Sequence, residues 1–205
     1  MQVAAKEHWE KIFSKSEGQD FSWFQAYPKT SMEFLELYNL PLDAKIIDIG
    51  GGDSNLVDVL LEKGYRNISV LDISANALEK AKKRLGEKAN RVTWIETDIT
   101  DFKPTEKYDF WHDRAAFHFL TTEDRVSKYV ALAEQSITPG GYLVLGTFSE
   151  NGPKKCSGLN IKQYSETSMS NRFKISFQRI KCVTEDHQTP FNTSQHFLFC
   201  SFRKK

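Results

Sequence analysis

Residues 45–55 read KIIDIGGGDSN, and the fold turns on them. KIIDIG (45–50) is a short apolar strand, and Gly50-Gly51-Gly52-Asp53 is a turn. Leu56, Val57, Leu60 and Leu61 then mark a helix that ends at Gly64, a natural C-cap. Glycines at such a turn let the backbone bend sharply and let a ligand lie against it. The helix start that follows offers free N–H groups.

The alternation continues outward from this unit. ISVLDI (68–73) is a second strand, and Ser74 can cap a helix carrying Leu78, Ala81 and Leu85. RVTWIET (91–97) and YDFWH (108–112) are a third and a fourth strand. Thr121-Thr122-Glu123-Asp124 opens a helix with Val126, Tyr129, Val130, Ala133 and Ile137 on one face. Pro139-Gly140-Gly141 turns into a fifth strand, GYLVLGTF (141–148). This order predicts an α/β, doubly wound, mostly parallel sheet with helices on both faces. Binding residues then belong at the C-terminal strand ends. The tail differs: Phe173–Val183 and Gln195–Arg203 are strand-like and TEDHQTPFNT links them, which predicts an antiparallel hairpin. Before the sheet, the chain to about Asn39 reads as helical with aromatic interruptions. Thr30-Ser31-Met32-Glu33 reads there as a capping box, and Pro41 as the stop.

Bulk properties narrow the function classes. The 205 residues suit one domain. The 28 basic and 27 acidic side chains leave a net charge of +1, no reason to propose nucleic acid or an anionic membrane as partner. Met1–Lys15 is too charged for a signal peptide, and no apolar run approaches the ~20 residues of a membrane helix. Cys156, Cys182 and Cys200 are an odd, widely spaced set without CxxC. That argues against a disulfide framework or structural zinc, and for a reducing, cytoplasmic setting.

Acids at three successive strand ends carry the site. Asp72 ends the second strand and is placed to accept two ribose hydroxyls. Asp98, with Ile99, ends the third and is placed to reach an adenine amino group. Asp48 precedes the glycines, where a pyrophosphate would be repelled and a cationic ligand favoured. The nicotinamide alternative needs the GxGxxG glycine where Asn55 stands. DIGGGDSN, Asp72, Asp98, the PGG turn and the closing hairpin together resemble a class I S-adenosylmethionine-dependent methyltransferase. The resemblance covers nearly the whole chain, although Ser54 replaces the usual third glycine. It implies a Rossmann-like seven-stranded sheet, strand seven antiparallel, and a single domain with residues 1–40 as lid and 41–205 as catalytic core. It also implies S-adenosylmethionine contacts at Gly50, Gly51, Gly52, Asp72, Ile73, Asp98 and Ile99.

Three further regions surround that site. Trp9 and Phe13 read as core packing of a helix, whereas Trp23, Phe24 and Tyr27 follow a loop and suit an aromatic lid over a sulfonium. This N-terminal pattern is similar to thiopurine and thiol methyltransferases, and to methyltransferase-like protein lysine methyltransferases. YDFWHDRAAFHFL (108–120) places His112, Asp113 and Arg114 at the fourth strand end, with Phe117 beyond. Metal ligation by His112, Asp113 and His118 lacks a fourth ligand and has Arg114 beside it, so a substrate wall is the better reading. Arg114 then clamps a carboxylate or pairs with Asp113, and His112 or His118 serves as base. For His118 a core position is favoured; for His112 the readings balance. The long 148–164 loop brings Cys156 to the binding edge. The leading function is methyl transfer to a small soluble nucleophile such as a thiol. A protein lysine N-methyltransferase is the alternative, and a non-catalytic nucleoside-binding domain or NAD-dependent oxidoreductase the reading from another class.

Overall fold

The computed structural model describes residues 2–16 and 18–205. Its helices are α1 (Gln2–Lys15), α2 (Lys29–Leu37), α3 (Leu56–Glu62), α4 (Ala75–Leu85), α5 (Glu123–Ser136) and α6 (Glu166–Phe173). Its strands are β1 (Lys45–Ile49), β2 (Asn67–Asp72), β3 (Val92–Glu96), β4 (Tyr108–Arg114), β5 (Ile137–Phe148), β6 (Lys155–Cys156), β7 (Leu159–Asn160), β8 (Phe177–Gln188) and β9 (Ser194–Lys204). Seven of them form one sheet in the order β3-β2-β1-β4-β5-β9-β8. β1 to β5 are parallel, and β9 and β8 close the sheet antiparallel. The predicted fold class is therefore the observed one.

Strand alternation divides the core in two. Ile46, Val70, Phe110, Val144 and Phe199 face α2 and α3, packing on Met32, Leu35 and Leu60. Ile47, Leu71, Trp111, Leu145 and Phe202 face the other way and meet Tyr129 of α5 and Met169 of α6. Because both faces are covered, β1 and β2 are buried at every residue after the first. Parallel strands in this order change direction of winding at β1 and β4, so their C-terminal ends flank the crevice where ligands bind.

Several sequence expectations need correction. The expected Thr30–Glu33 capping box does not form: α2 starts at Lys29 with no side-chain cap and ends at Leu37, before Pro41. Asn39 takes a positive φ of 46° just beyond it. Phe173 belongs to α6, a helix missed in the sequence and held by a capping box of Ser165 and Ser168. Its hydrophobic face is short, which hid it. β8 consequently starts later and runs further than expected, through TEDHQ of the presumed link. Thr138–Gly141 is not a preceding turn but an irregularity within β5, where pairing jumps from Tyr108↔Ile137 to Phe110↔Tyr142.

The largest correction concerns cysteine. Cys182 and Cys200 are directly opposed in the β8–β9 register, with Cα atoms 4.1 Å apart, and they form a disulfide. This pairing corrects the expectation of unpaired cysteines from which a reducing compartment was inferred. Among the described residues, no helix is long and apolar enough to cross a membrane.

Candidate active site

The C-terminal ends of β1, β2, β3 and β4 open into a cavity of about 400 Å³. Gly50, the first residue of the glycine turn, lines it. Gly50 and Gly52 have φ of +66° and +39°, in the left-handed region that favours glycine. A Cβ on Gly50 would lie 2.6 Å from Ala116 Cβ, and one on Gly52 would lie 2.8 Å from Asp72 Oδ2. A Cβ on Gly51 would meet Asp48 Oδ2 at 2.6 Å. The turn is thus pressed against its neighbours, and the N–H groups of Gly50 and Gly51 tie it to the Leu71 carbonyl. Gly50 lines the main cavity; Gly51 and Gly52 line a smaller one of about 70 Å³ beside it.

One end of the main cavity is polar. Asp72 lines it while accepting the Ser74 N–H at 2.8 Å. Burial pushes the Asp72 carboxyl up to about 7, further raised by Asp48 and opposed by backbone N–H groups of Ser74 and Ile73. Ile73, Asp98 and Ile99 also line this end. Asp98 is more engaged than its sequence position suggested. Its Oδ1 accepts from Thr100 N–H and Oγ1–H, and its Oδ2 from Arg125 Nη2 at 2.7 Å. Arg125, carried in by α5, is a cavity residue that sequence reasoning missed.

The roof comes from the N-terminal segment. Trp9 and Phe13 of α1 line the cavity with Trp23, so their expected core role is only half of what they do. Phe13 is indeed buried, but against Phe21 and Trp23 above the cavity. Glu10 fixes this roof: its carboxylate accepts N–H bonds from Ala75 and Asn76 and the Ser74 hydroxyl, at 2.7–3.1 Å. A carboxylate there also complements the positive start of α4. No sequence signal marks Glu10, because its partners lie 64 to 66 residues away. Of the other proposed lid residues, Phe24 lines only the smaller cavity. Tyr27 is half exposed and lines neither, so it takes no part in the roof.

β4 sends three consecutive side chains to three different fates. His112 pairs in register with Asp48, so both project from one face. Its Nδ1 lies 2.7 Å from Asp48 Oδ1 and its Nε2 lies 2.8 Å from Ser31 Oγ. Both ring nitrogens are occupied and the ring borders only the smaller cavity, so His112 links β1, β4 and α2 and does not stand as a free base. Asp48 is spent on the same link. Asp113 points to the opposite face and is fully buried. It accepts N–H bonds from Ala116 and Phe117 and the Tyr129 hydroxyl, all at 2.8–3.0 Å. Burial pushes it up to about 6. It lines neither cavity.

Arg114 returns to the first face and borders both cavities. It makes no ion pair with Asp113. Its guanidinium carbon sits 4.7 Å over the Phe197 ring, and Nη1 donates to the Trp23 carbonyl at 3.0 Å. Beyond it, Ala115 adopts a φ of +69° and turns the chain so that Ala116 packs on Gly50.

The far end of the cavity is apolar. Phe119, Phe148, Phe197 and Leu159 line it together with Cys156. Burial pushes the Cys156 thiol up to about 11, against the pull of Ser157 and Arg114, so it is a neutral wall. Phe117 does not reach the cavity; it is core, against Tyr129 and Tyr164. His118 is core as favoured, accepting the Phe148 N–H, with burial and Arg114 driving it down to about 3.

Residues 46–141 match a family model described as a methyltransferase domain. The fold is shared with the N-methyltransferase NodS of Bradyrhizobium japonicum, solved with S-adenosylhomocysteine, which superposes with a TM-score of 0.71 at 18% identity, over 95% of this chain and 97% of its own. Among curated relatives, the eEF1A lysine and N-terminal methyltransferase of Mus musculus is 25% identical over 77% of this chain and 23% of its own length. The trans-aconitate 2-methyltransferase of Rhizobium etli is 32% identical over 49% of this chain and 37% of its own. The chain thus spans well under half the length of these curated relatives.

Proposed function

We propose that this chain transfers a methyl group from S-adenosylmethionine to a small soluble nucleophile, with a thiol or another soft atom as the leading acceptor. The observation that carries the reading is a single cavity with two unlike ends. Both of its carboxylates, Asp72 and Asp98, stand at one end, and aromatic rings with Cys156 stand at the other. The residues fit the cofactor: the glycine turn leaves no room for a Cβ, and Asp72 is a ribose-hydroxyl acceptor at the end of β2. Asp98 and Ile99 would hold the base. When bound, the cofactor supplies an electrophilic methyl group on a sulfonium. Trp9 and Trp23 favour that cation through their ring faces and keep water out. The chain's remaining task is to hold the acceptor in line, because displacement at carbon needs position more than covalent help.

A second reading, methylation of a protein lysine, is favoured by the mouse relative, an eEF1A lysine and N-terminal methyltransferase. Labelled-methyl transfer to filtrate molecules and to lysate proteins separates the two; label in protein alone would sink the first. Calorimetry with S-adenosylmethionine, S-adenosylhomocysteine and NAD tests the cofactor. Binding of the first two is expected, and tight NAD binding alone would return the oxidoreductase reading.

A further inference from the structure

We propose that Arg114 makes this site selective for acceptors that carry a carboxylate beside an apolar body. The inference rests on the methyl-transfer reading and names its substrate class. Arg114 Nη1 is used by the Trp23 carbonyl, and the guanidinium face is used by Phe197. Nε and Nη2 are buried, and among the described residues they have no hydrogen-bond partner. These two N–H groups share one edge of the guanidinium and point in parallel. That edge matches the two oxygens of a carboxylate, which it binds bidentately. Leaving it empty in a low-dielectric setting is costly, so a ligand that fills it gains what water would otherwise supply. Burial draws Arg114 down to about 10, which still leaves it cationic at neutral pH.

The surroundings agree. The apolar end of the cavity offers Phe119, Phe148 and Leu159 to a hydrocarbon body and no acid to an ammonium group. A lysine side chain entering there would meet the Arg114 charge, with which Glu185 and Asp48 interact without forming an ion pair. The acid nearest in influence is Glu185 of β8. It is not ion-paired with Arg114: its Oε1 accepts from the Gln25 amide at 3.1 Å, and its Oε2 is buried without a partner. Glu185 therefore raises the charge demand of Arg114 only from a distance, and it opposes an incoming carboxylate.

Calorimetry tests this with matched pairs: benzoate and benzamide, phenylacetate and phenylacetamide, hexanoate and hexanamide. Each is titrated with and without saturating S-adenosylhomocysteine. At least one acid should bind about tenfold tighter than its amide, as expected for a bidentate charged contact. Arg114→Gln should erase that preference, Arg114→Lys should keep part of it, and Glu185→Gln should strengthen acid binding while leaving the amide unchanged. Glu185→Gln keeps the test open if the Arg114 variants fail to fold. Normal S-adenosylhomocysteine binding with no acid preference in any pair overturns the inference alone. Absent S-adenosylhomocysteine binding with the acid preference intact overturns the methyl-transfer reading and leaves the Arg114 assignment standing.

Discussion

The ends of β2 and β4 each bury an aspartate, and the two aspartates do opposite things. Asp72 and Asp113 are both pushed well above the usual carboxylate range by burial, to about 7 and about 6. Asp113 is enclosed by two backbone N–H groups and the Tyr129 hydroxyl, and it lines no cavity. Asp72 faces the cavity, where a ligand's hydroxyls would complete its shell. Depth of burial does not distinguish a binding acid from a structural one. The count and source of the donors does: a carboxylate saturated by its own chain is a brace, and one left facing a cavity is a receptor.

Mutation should split the pair cleanly. Asp113→Ala leaves three buried donors without an acceptor, so it should lower the unfolding free energy by roughly 2–4 kcal/mol in chemical denaturation. The folded fraction should bind S-adenosylhomocysteine normally. Lost affinity at full stability would place Asp113 in the site after all. Asp72→Ala should do the reverse, weakening S-adenosylhomocysteine by about 1–3 kcal/mol in calorimetry while stability holds or rises. Unchanged affinity would remove Asp72 from the ribose.

The titration of the pair sharpens the comparison. Both folded-state values lie above the ordinary 3.8. Between about 4 and 7 the folded chain keeps protons that the unfolded chain has released, so stability without ligand should fall as pH rises through that window. Above it, these two groups contribute no further slope. Asp72→Asn should flatten the upper part of the window, from about 6 to 7. Affinity for S-adenosylhomocysteine should rise with pH over the same range, because only the ionised Asp72 accepts two hydroxyls. An affinity that is flat from pH 6 to 8 would sever Asp72 from binding.

The smallest expected effect concerns the roof. Glu10 serves α4 as a cap supplied from another helix, and Glu10→Ala should cost about 0.5–2 kcal/mol, as capping losses do. Hydrogen exchange should then speed up in α1 more than in β1 to β5. Equal protection in both would mean that Trp9 and Phe13 hold the roof without Glu10.

The sequence disclosed different parts of the site for different reasons. Asp72, Asp98 and the glycine turn were legible because each sits within a few residues of a strand end that local periodicity reveals. The roles of His112, Asp113 and Arg114 were not, because three adjacent residues look alike until the register with β1 and β5 is known. Ser31 looked like part of a cap, yet its hydroxyl is taken by a histidine 81 residues on. Trp9 and Phe13 looked like ordinary core for the same reason: their apolar spacing says that they are covered and not by what.

The sequence by itself determined the alternating strands and helices, the class of sheet and the acids at the polar end of the cavity, since those depend on hydrophobic period, turn residues and acids at strand ends. Only the tertiary structure decided the rest. It set Cys182 against Cys200, spent His112 on Asp48, enclosed Asp113 and left one edge of Arg114 free. The physical reason is common to all four. A side chain's chemistry is set by the donors, acceptors and charges that reach it, and here those arrive from segments distant in sequence whose approach is governed by strand register and packing.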